Sequence, residues 1–130
     1  MRILVCGGRT FQDWDKLNET LNTLHAIQPI TCIIEGGARG ADRLARLWAQ
    51  KNGVRYETYV SDWKNISYPD SVIRYDAHGQ PYDANAGPRR NKKMLEEGKP
   101  DLVVGFKGSK GTMDCLKQAK NMGIQIARAG

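Results

Sequence analysis

Histidine and cysteine are scarce in this chain of 130 residues, which has two histidines and three cysteines. Cys6, Cys32 and Cys115 are odd in number and show no C-x-x-C spacing, so no disulfide framework is expected. His25 and His78 stand alone, which leaves no zinc-type ligand set, and neither a metal nor a cofactor is expected. Cys6 and Cys32 fall inside apolar runs, where a free cysteine behaves as a small hydrophobe. Long hydrophobic runs are also missing. The N-terminal Met1–Val5 stretch is too short for a signal peptide and nothing could span a bilayer, so the expectation is a cytoplasmic protein without a membrane partner. There is no internal repeat, and neither a helix-turn-helix nor an RNA-binding signature is visible.

What the chain has is glycine, 14 residues of it, and a formal net charge of +6. The charge suits anionic partners but says nothing about fold. The length fits a single domain over 1–130 with a real core. The glycines gather into three turns, each following a short apolar run and each followed by a helical pattern. Arg2–Cys6 leads into Gly7-Gly8-Arg9-Thr10. Ile30–Glu35 leads into Gly36-Gly37-Ala38-Arg39-Gly40-Ala41-Asp42. Leu102–Phe106 leads into Lys107-Gly108-Ser109-Lys110-Gly111-Thr112. A strand–glycine–helix turn presents unpaired backbone N–H groups at the positive end of a helix, which suits a phosphate. Gly108 and Gly111 are expected to adopt φ > 0 and let the backbone approach a ligand closely. Thr112 reads either as a ligand contact or as a helix cap.

The first helix is expected after Asp13 as N-cap, with Leu17, Leu21 and Leu24 inward. The second carries Ala41, Leu44, Ala45 and Trp48 on one stripe and ends at Asn52-Gly53. Arg55–Val60 alternates as a third strand. The stretch 61–85 is an irregular insertion with Trp63, Tyr68, Tyr75 and Tyr82. Its 76–81 segment reads as a turn or hairpin tip, and so long a connection is either a binding loop or a self-packing or oligomer-forming insert. Asn85–Gly98 is a helix whose start bears Arg89, Arg90, Lys92 and Lys93. Cations at a helix N-terminus oppose the dipole, and bound anions would offset that conflict. After Thr112, Met113, Leu116 and Ala119 are expected to face inward, and Ile124–Ala127 closes the chain as a strand. The order is β-α-β-α-β-(insert)-α-β-α-β. It implies an α/β, Rossmann-like three-layer domain with a mainly parallel sheet of about five strands, whose three glycine turns share the carboxyl edge.

Four motifs in order, Gly7-Gly8-Arg9-Thr10-Phe11, Glu35–Asp42, Ala86-Gly87-Pro88-Arg89-Arg90-Asn91-x-x-Met94, and Asp101–Val104 followed by Gly108-x-x-Gly111-Thr112, resemble the YspA/YpsA-related branch of the SLOG superfamily, often found in phage and bacterial genomes. That superfamily also includes the LOG nucleotide phosphoribohydrolases and the DprA-type DNA-processing proteins. The resemblance covers nearly the whole chain. It implies a Rossmann-like domain that binds nucleotides or nucleotide-derived molecules, and a homo-oligomer. By spacing to Met94, Arg90 stands where the LOG arginine would, and Gly108, Gly111 and Thr112 stand at the phosphate turn. The position of the LOG glutamate, three after Thr112, is Cys115. Asp114 lies one residue earlier, about 100° round the helix, and so is no simple replacement.

The leading expectation is therefore a module that senses or sequesters a nucleotide or nucleotide-derived phosphate at the carboxyl edge of the sheet. Its ligand-binding residues are Gly7, Gly8, Arg9, Glu35, Gly36, Gly37, Arg39, Gly40, Arg90, Gly108, Ser109, Lys110, Gly111 and Thr112. The alternative is a nucleotide N-glycosidase, with Arg90 orienting the phosphoribose and Asp42, Asp114 or Glu35 as acid/base. Two structural roles compete here: Asp42 as a cap of its helix, and Glu35 as an acceptor for turn N–H groups or a partner of Arg39. A third expectation is nucleic-acid binding through the basic helix 88–93 and the basic turn.

Overall fold

The computed structural model describes residues 1–129. Five short strands, β1 (Arg2–Cys6), β2 (Cys32–Glu35), β3 (Arg55–Thr58), β6 (Leu102–Gly105) and β7 (Gln125–Arg128), form one sheet in the order β3-β2-β1-β6-β7. Every pairing in it is parallel, with Leu4 of β1 opposite Ile34 on one side and Val103 on the other. Four helices connect the strands: α1 (Trp14–Ile27), α2 (Ala41–Lys51), α3 (Ala86–Gly98) and α4 (Lys110–Asn121). The alternation of the central strand explains the three layers. Ile3 and Val5 pack with Leu17, Leu21, Ala45 and Trp48 on the α1/α2 side, whereas Leu4 and Cys6 pack with Met94, Leu95, Cys115 and Leu116 on the α3/α4 side. Both faces of β1 and β2 are buried, as βαβ crossovers require.

The local signals act as the sequence suggests at several points. The Asp13 carboxylate accepts the Lys16 N–H at 3.0 Å and caps α1. Segment 61–85 is not wholly irregular. It carries a two-stranded antiparallel hairpin, β4 (Ile73–Tyr75) and β5 (Pro81–Asp83), outside the main sheet. β3 is shorter than the alternation implies, ending at Thr58.

Three local expectations change. Gly108 and Gly111 do not have positive φ; the left-handed glycines of the turns are Gly37 and Gly40. The third turn is instead compact because α4 starts at Lys110, after Ser109, so Thr112 lies inside the first helical turn and is not its cap. Met113 is 52% exposed. The inward stripe of α4 is Thr112, Cys115, Leu116 and Ala119, so Leu116 and Ala119 face inward as expected and Thr112 and Cys115 take the place of Met113.

Candidate functional site

β1 is the strand at which the chain reverses direction across the sheet, with β2 on one side and β6 on the other. In such sheets a crevice opens beyond the carboxyl ends of the strands flanking the reversal. Here it is a cleft of about 1380 Å³, lined by all three glycine turns, by Arg90, Asn91 and Asp114, and by Trp63 of the insert.

The turns touch each other through their backbones. The Gly8 N–H donates to the Lys107 carbonyl at 2.8 Å, and the Ala41 N–H donates to the Gly8 carbonyl at 3.2 Å. A Cβ on Gly40 would collide with the Gly8 carbonyl oxygen, and one on Gly7 would lie 2.5 Å from the Ala41 Cβ. These glycines serve turn-against-turn packing. Gly40 does not line the cleft, and neither does Glu35. Glu35 is fully buried, accepts the Gly37 N–H at 2.6 Å and takes a hydrogen bond from the Thr58 hydroxyl, which fixes the second turn from behind.

The third turn is open. A Cβ on Gly111 would meet nothing within 4 Å. Ser109 caps α4 without a side-chain hydrogen bond, which leaves the first N–H groups of the helix toward the cleft. Thr112 is only 6% exposed, yet its hydroxyl makes no hydrogen bond among the described residues. Its Oγ1 occupies the space a Cβ on Gly108 would need. Arg9, Arg39, Lys107 and Lys110 border the same cleft and are paired with no carboxylate among the described residues.

Arg90 extends from the first turn of α3 across the second glycine turn. Its Nη1 donates to the Gly36 carbonyl at 2.7 Å and its Nε to Asn91 Oδ1 at 3.0 Å. Gly36 leaves the room that Arg90 occupies, because a Cβ there would push the guanidinium aside. Asn91 is buried and passes the connection on: its Nδ2 donates to Asp114 Oδ2 at 3.0 Å and to the Gly111 carbonyl at 3.1 Å. Asp114 Oδ2 also accepts from Gln118 at 2.8 Å. The helix turns Asp114 toward the cleft and Cys115 into the core. Asn91 is a site residue that the sequence showed only as part of a motif.

Asp42 does not cap its helix; Gly40 occupies that position with no side-chain bond. Its Oδ2 accepts the Ala38 N–H at 3.2 Å, inside the loop. Burial pushes its carboxyl up to about 6, against the lowering effect of the loop N–H and of Arg90.

The cations at the start of α3 are answered largely from within the chain. Arg89 pairs with Asp70 at 2.5 Å and with Asp83 at 2.9 Å, and lies 4.0 Å over the Tyr68 ring. Asp83 is fully buried and accepts the Val72 and Asn85 N–H groups and the Ser71 hydroxyl. Burial alone would raise the Asp83 carboxyl, but these bonds and Arg89 outweigh it and hold it at about 2. Asp83 escaped the sequence reading, because an isolated carboxylate in an irregular stretch carries no pattern. Among the described residues, no three histidines, cysteines or carboxylates group so as to hold a metal ion, and no helix is long and apolar enough to cross a membrane.

A family model described as YspA, cpYpsA-related SLOG family matches residues 1–65. The gene 61 protein of Mycobacterium phage D29 is 31% identical over 135 residues, covering 99% of this chain and 96% of that protein. The solved structure of DNA processing protein A (DprA) from Streptococcus pneumoniae superposes with a TM-score of 0.71 at 19% identity. That match takes in 98% of this chain but 49% of the DprA chain, so the present chain spans about half of that relative's length.

Proposed function

The chain belongs to the YspA, cpYpsA-related SLOG family, and from that premise we propose that it binds a nucleotide or nucleotide-derived phosphate in the cleft, as a sensor or sequestering module. The observation that carries this reading is the third glycine turn. There an uncapped helix start, the Thr112 hydroxyl with no hydrogen-bond partner among the described residues and unpaired lysines converge on open space. A phosphate at this point would accept from the N–H groups of the α4 start and from Thr112, with Lys110 and Arg9 or Arg39 as counter-charges. Arg90 is already bonded to Gly36 and Asn91, and acts as a rigid wall of the cleft.

Purified protein incubated with a panel of nucleotides, cyclic nucleotides and ADP-ribose derivatives, then analysed by mass spectrometry, tests the reading. A ligand recovered intact supports it. Thr112→Val removes only the hydroxyl and should weaken binding about 10-fold, the worth of one hydrogen bond to a charged group. Equal affinity in that variant would remove the third turn as the phosphate site. If nothing small binds, while DNA binds with an affinity that falls steeply with salt, the nucleic-acid reading takes its place.

One observation favours a second reading, nucleotide N-glycosidase. Asp42, poised at about 6 and close to Arg90, is suited to hold or release a proton near neutral pH. Free base together with ribose phosphate in solution, lost in Asp42→Asn, would establish it.

A further inference from the structure

We propose that Trp63 is the surface on which an aromatic base of the ligand stacks, so that the cleft selects a nucleobase-bearing phosphate over a bare sugar phosphate. The inference rests on the phosphate reading above and adds the other half of the ligand.

Trp63 belongs to the insert and belongs to neither hydrophobic core cluster of the described residues. It is half-buried and lines the cleft together with the glycine turns. The fold spends several devices on holding it there. Its carbonyl accepts the Asp83 N–H at 2.7 Å. The buried Asp83 carboxylate in turn ties the insert to α3 through Arg89. Tyr82 meets the ring edge-on, with centroids 6.4 Å apart and planes at 62°. Below the ring lies Gly87, whose missing side chain makes room: a Cβ there would be 3.3 Å from Trp63 Cη2.

Arg9 reaches over the ring from the first glycine turn. Its guanidinium is 6.0 Å from the ring centroid, the outer limit of a cation–π contact, and it has no carboxylate partner among the described residues. The Trp63 indole N–H likewise has no hydrogen-bond partner among the described residues. A flat aromatic ring can take the place of the guanidinium on Trp63 at little cost, and Arg9 is then free to turn toward phosphate in the same cleft. Trp14 and Trp48 cannot play this part, since both pack in the α1/α2 core.

Titration calorimetry with adenosine 5′-monophosphate, cytidine 5′-monophosphate and ribose 5-phosphate tests the proposal. Stacking a base on an aromatic side chain corresponds to roughly 5- to 150-fold in affinity. The wild type is expected to prefer both nucleotides over ribose 5-phosphate by a factor in that range. Trp63→Leu should bring the ratio close to one, and Trp63→Phe should retain most of it. If Trp63→Leu does not fold, tryptophan emission decides: nucleotide but not ribose 5-phosphate should quench it in the wild type, and the quenching should vanish in Trp63→Phe. The proposal is overturned if the wild type shows no preference, if Trp63→Leu lowers all affinities with the ratio unchanged, or if quenching survives in Trp63→Phe. Binding of none of the three by the wild type would instead overturn the phosphate reading, and this inference with it.

Discussion

Replacing Asp42 by asparagine should make the protein more stable at neutral pH. The ordinary carboxyl pKa of 3.8 is raised to about 6 in the folded chain, because the group is buried and its hydrogen bond from Ala38 and the nearby Arg90 compensate only in part. A folded-state pKa above the unfolded one means that the folded state binds more protons between those values. Stability from this group is then full below about pH 4 and is lost as pH rises through about 6. Raising this carboxyl from 3.8 to about 6 costs the ionised form about 3 kcal/mol at pH 7.5. Asparagine keeps an oxygen for the Ala38 N–H and removes the charge. It forgoes part of the carboxylate's bonding to the loop, so a gain of about 1–3 kcal/mol is expected at pH 7.5 and almost none at pH 4. Urea unfolding followed by far-UV circular dichroism at both pH values measures the difference. An Asp42→Asn protein that is less stable than wild type by the same amount at both pH values would refute the reasoning. It would mean that the loop hydrogen bonds outweigh burial. A stabilising change at a cleft residue is the signature of a group kept for something other than stability.

Gly111→Ala places a methyl group where nothing lies within 4 Å, in the first turn of α4, and should stabilise the fold by about 0.4–1 kcal/mol while weakening nucleotide binding; thermal unfolding and calorimetry give the two numbers. Gly40→Ala, with φ of 79° and the Gly8 carbonyl in the way, should cost at least about 2 kcal/mol, seen as a lower urea midpoint with an unchanged m-value. The Asp83 carboxyl is held at about 2, so the stability it lends is present above the unfolded value near 3.9 and is lost as pH falls through about 2. Limited proteolysis with pepsin should accordingly cut within 61–85 before the sheet unfolds, and Arg89→Ala should expose the same segment to trypsin at neutral pH.

The sheet and its four helices were legible because their signals are local. Apolar runs of four to six residues end in glycine, and leucines recur at helical spacing. The convergence of the three turns followed from parallel strand order alone. Three things were not legible. The buried stripe of α4 begins with Thr112 and continues through Cys115 to the expected Leu116 and Ala119; a threonine gives no sign of burial, so the more hydrophobic Met113 was read as inward in its stead. Asn91 has the look of a polar surface residue in α3, and only the packing of α4 against α3 buries it among Asp114 and the Gly111 carbonyl. The carboxylates that pair Arg89 at the start of α3 come from Asp70 and Asp83. Asp83 is six residues before Arg89, and Asp70 is 19 residues before it, in a stretch whose shape no periodicity describes.

The floor of the cleft is main chain pressed on main chain, whereas its Trp63 side belongs to the insert 61–85, clasped to α3 by Arg89 with Asp70 and Asp83. Those two parts answer to different rules of inheritance. Glycines wedged against neighbouring backbone, as Gly40 is against the Gly8 carbonyl, tolerate almost no replacement, so the way the turns meet is frozen with the fold. The insert hangs outside the main sheet, tied to α3 through Arg89 with Asp70 and Asp83, so its hairpin can be lengthened or reshaped without touching the strands. A lineage carrying this scaffold can therefore change what the insert presents to the cleft while the sheet stays fixed, as a tool keeps its handle and changes its bit.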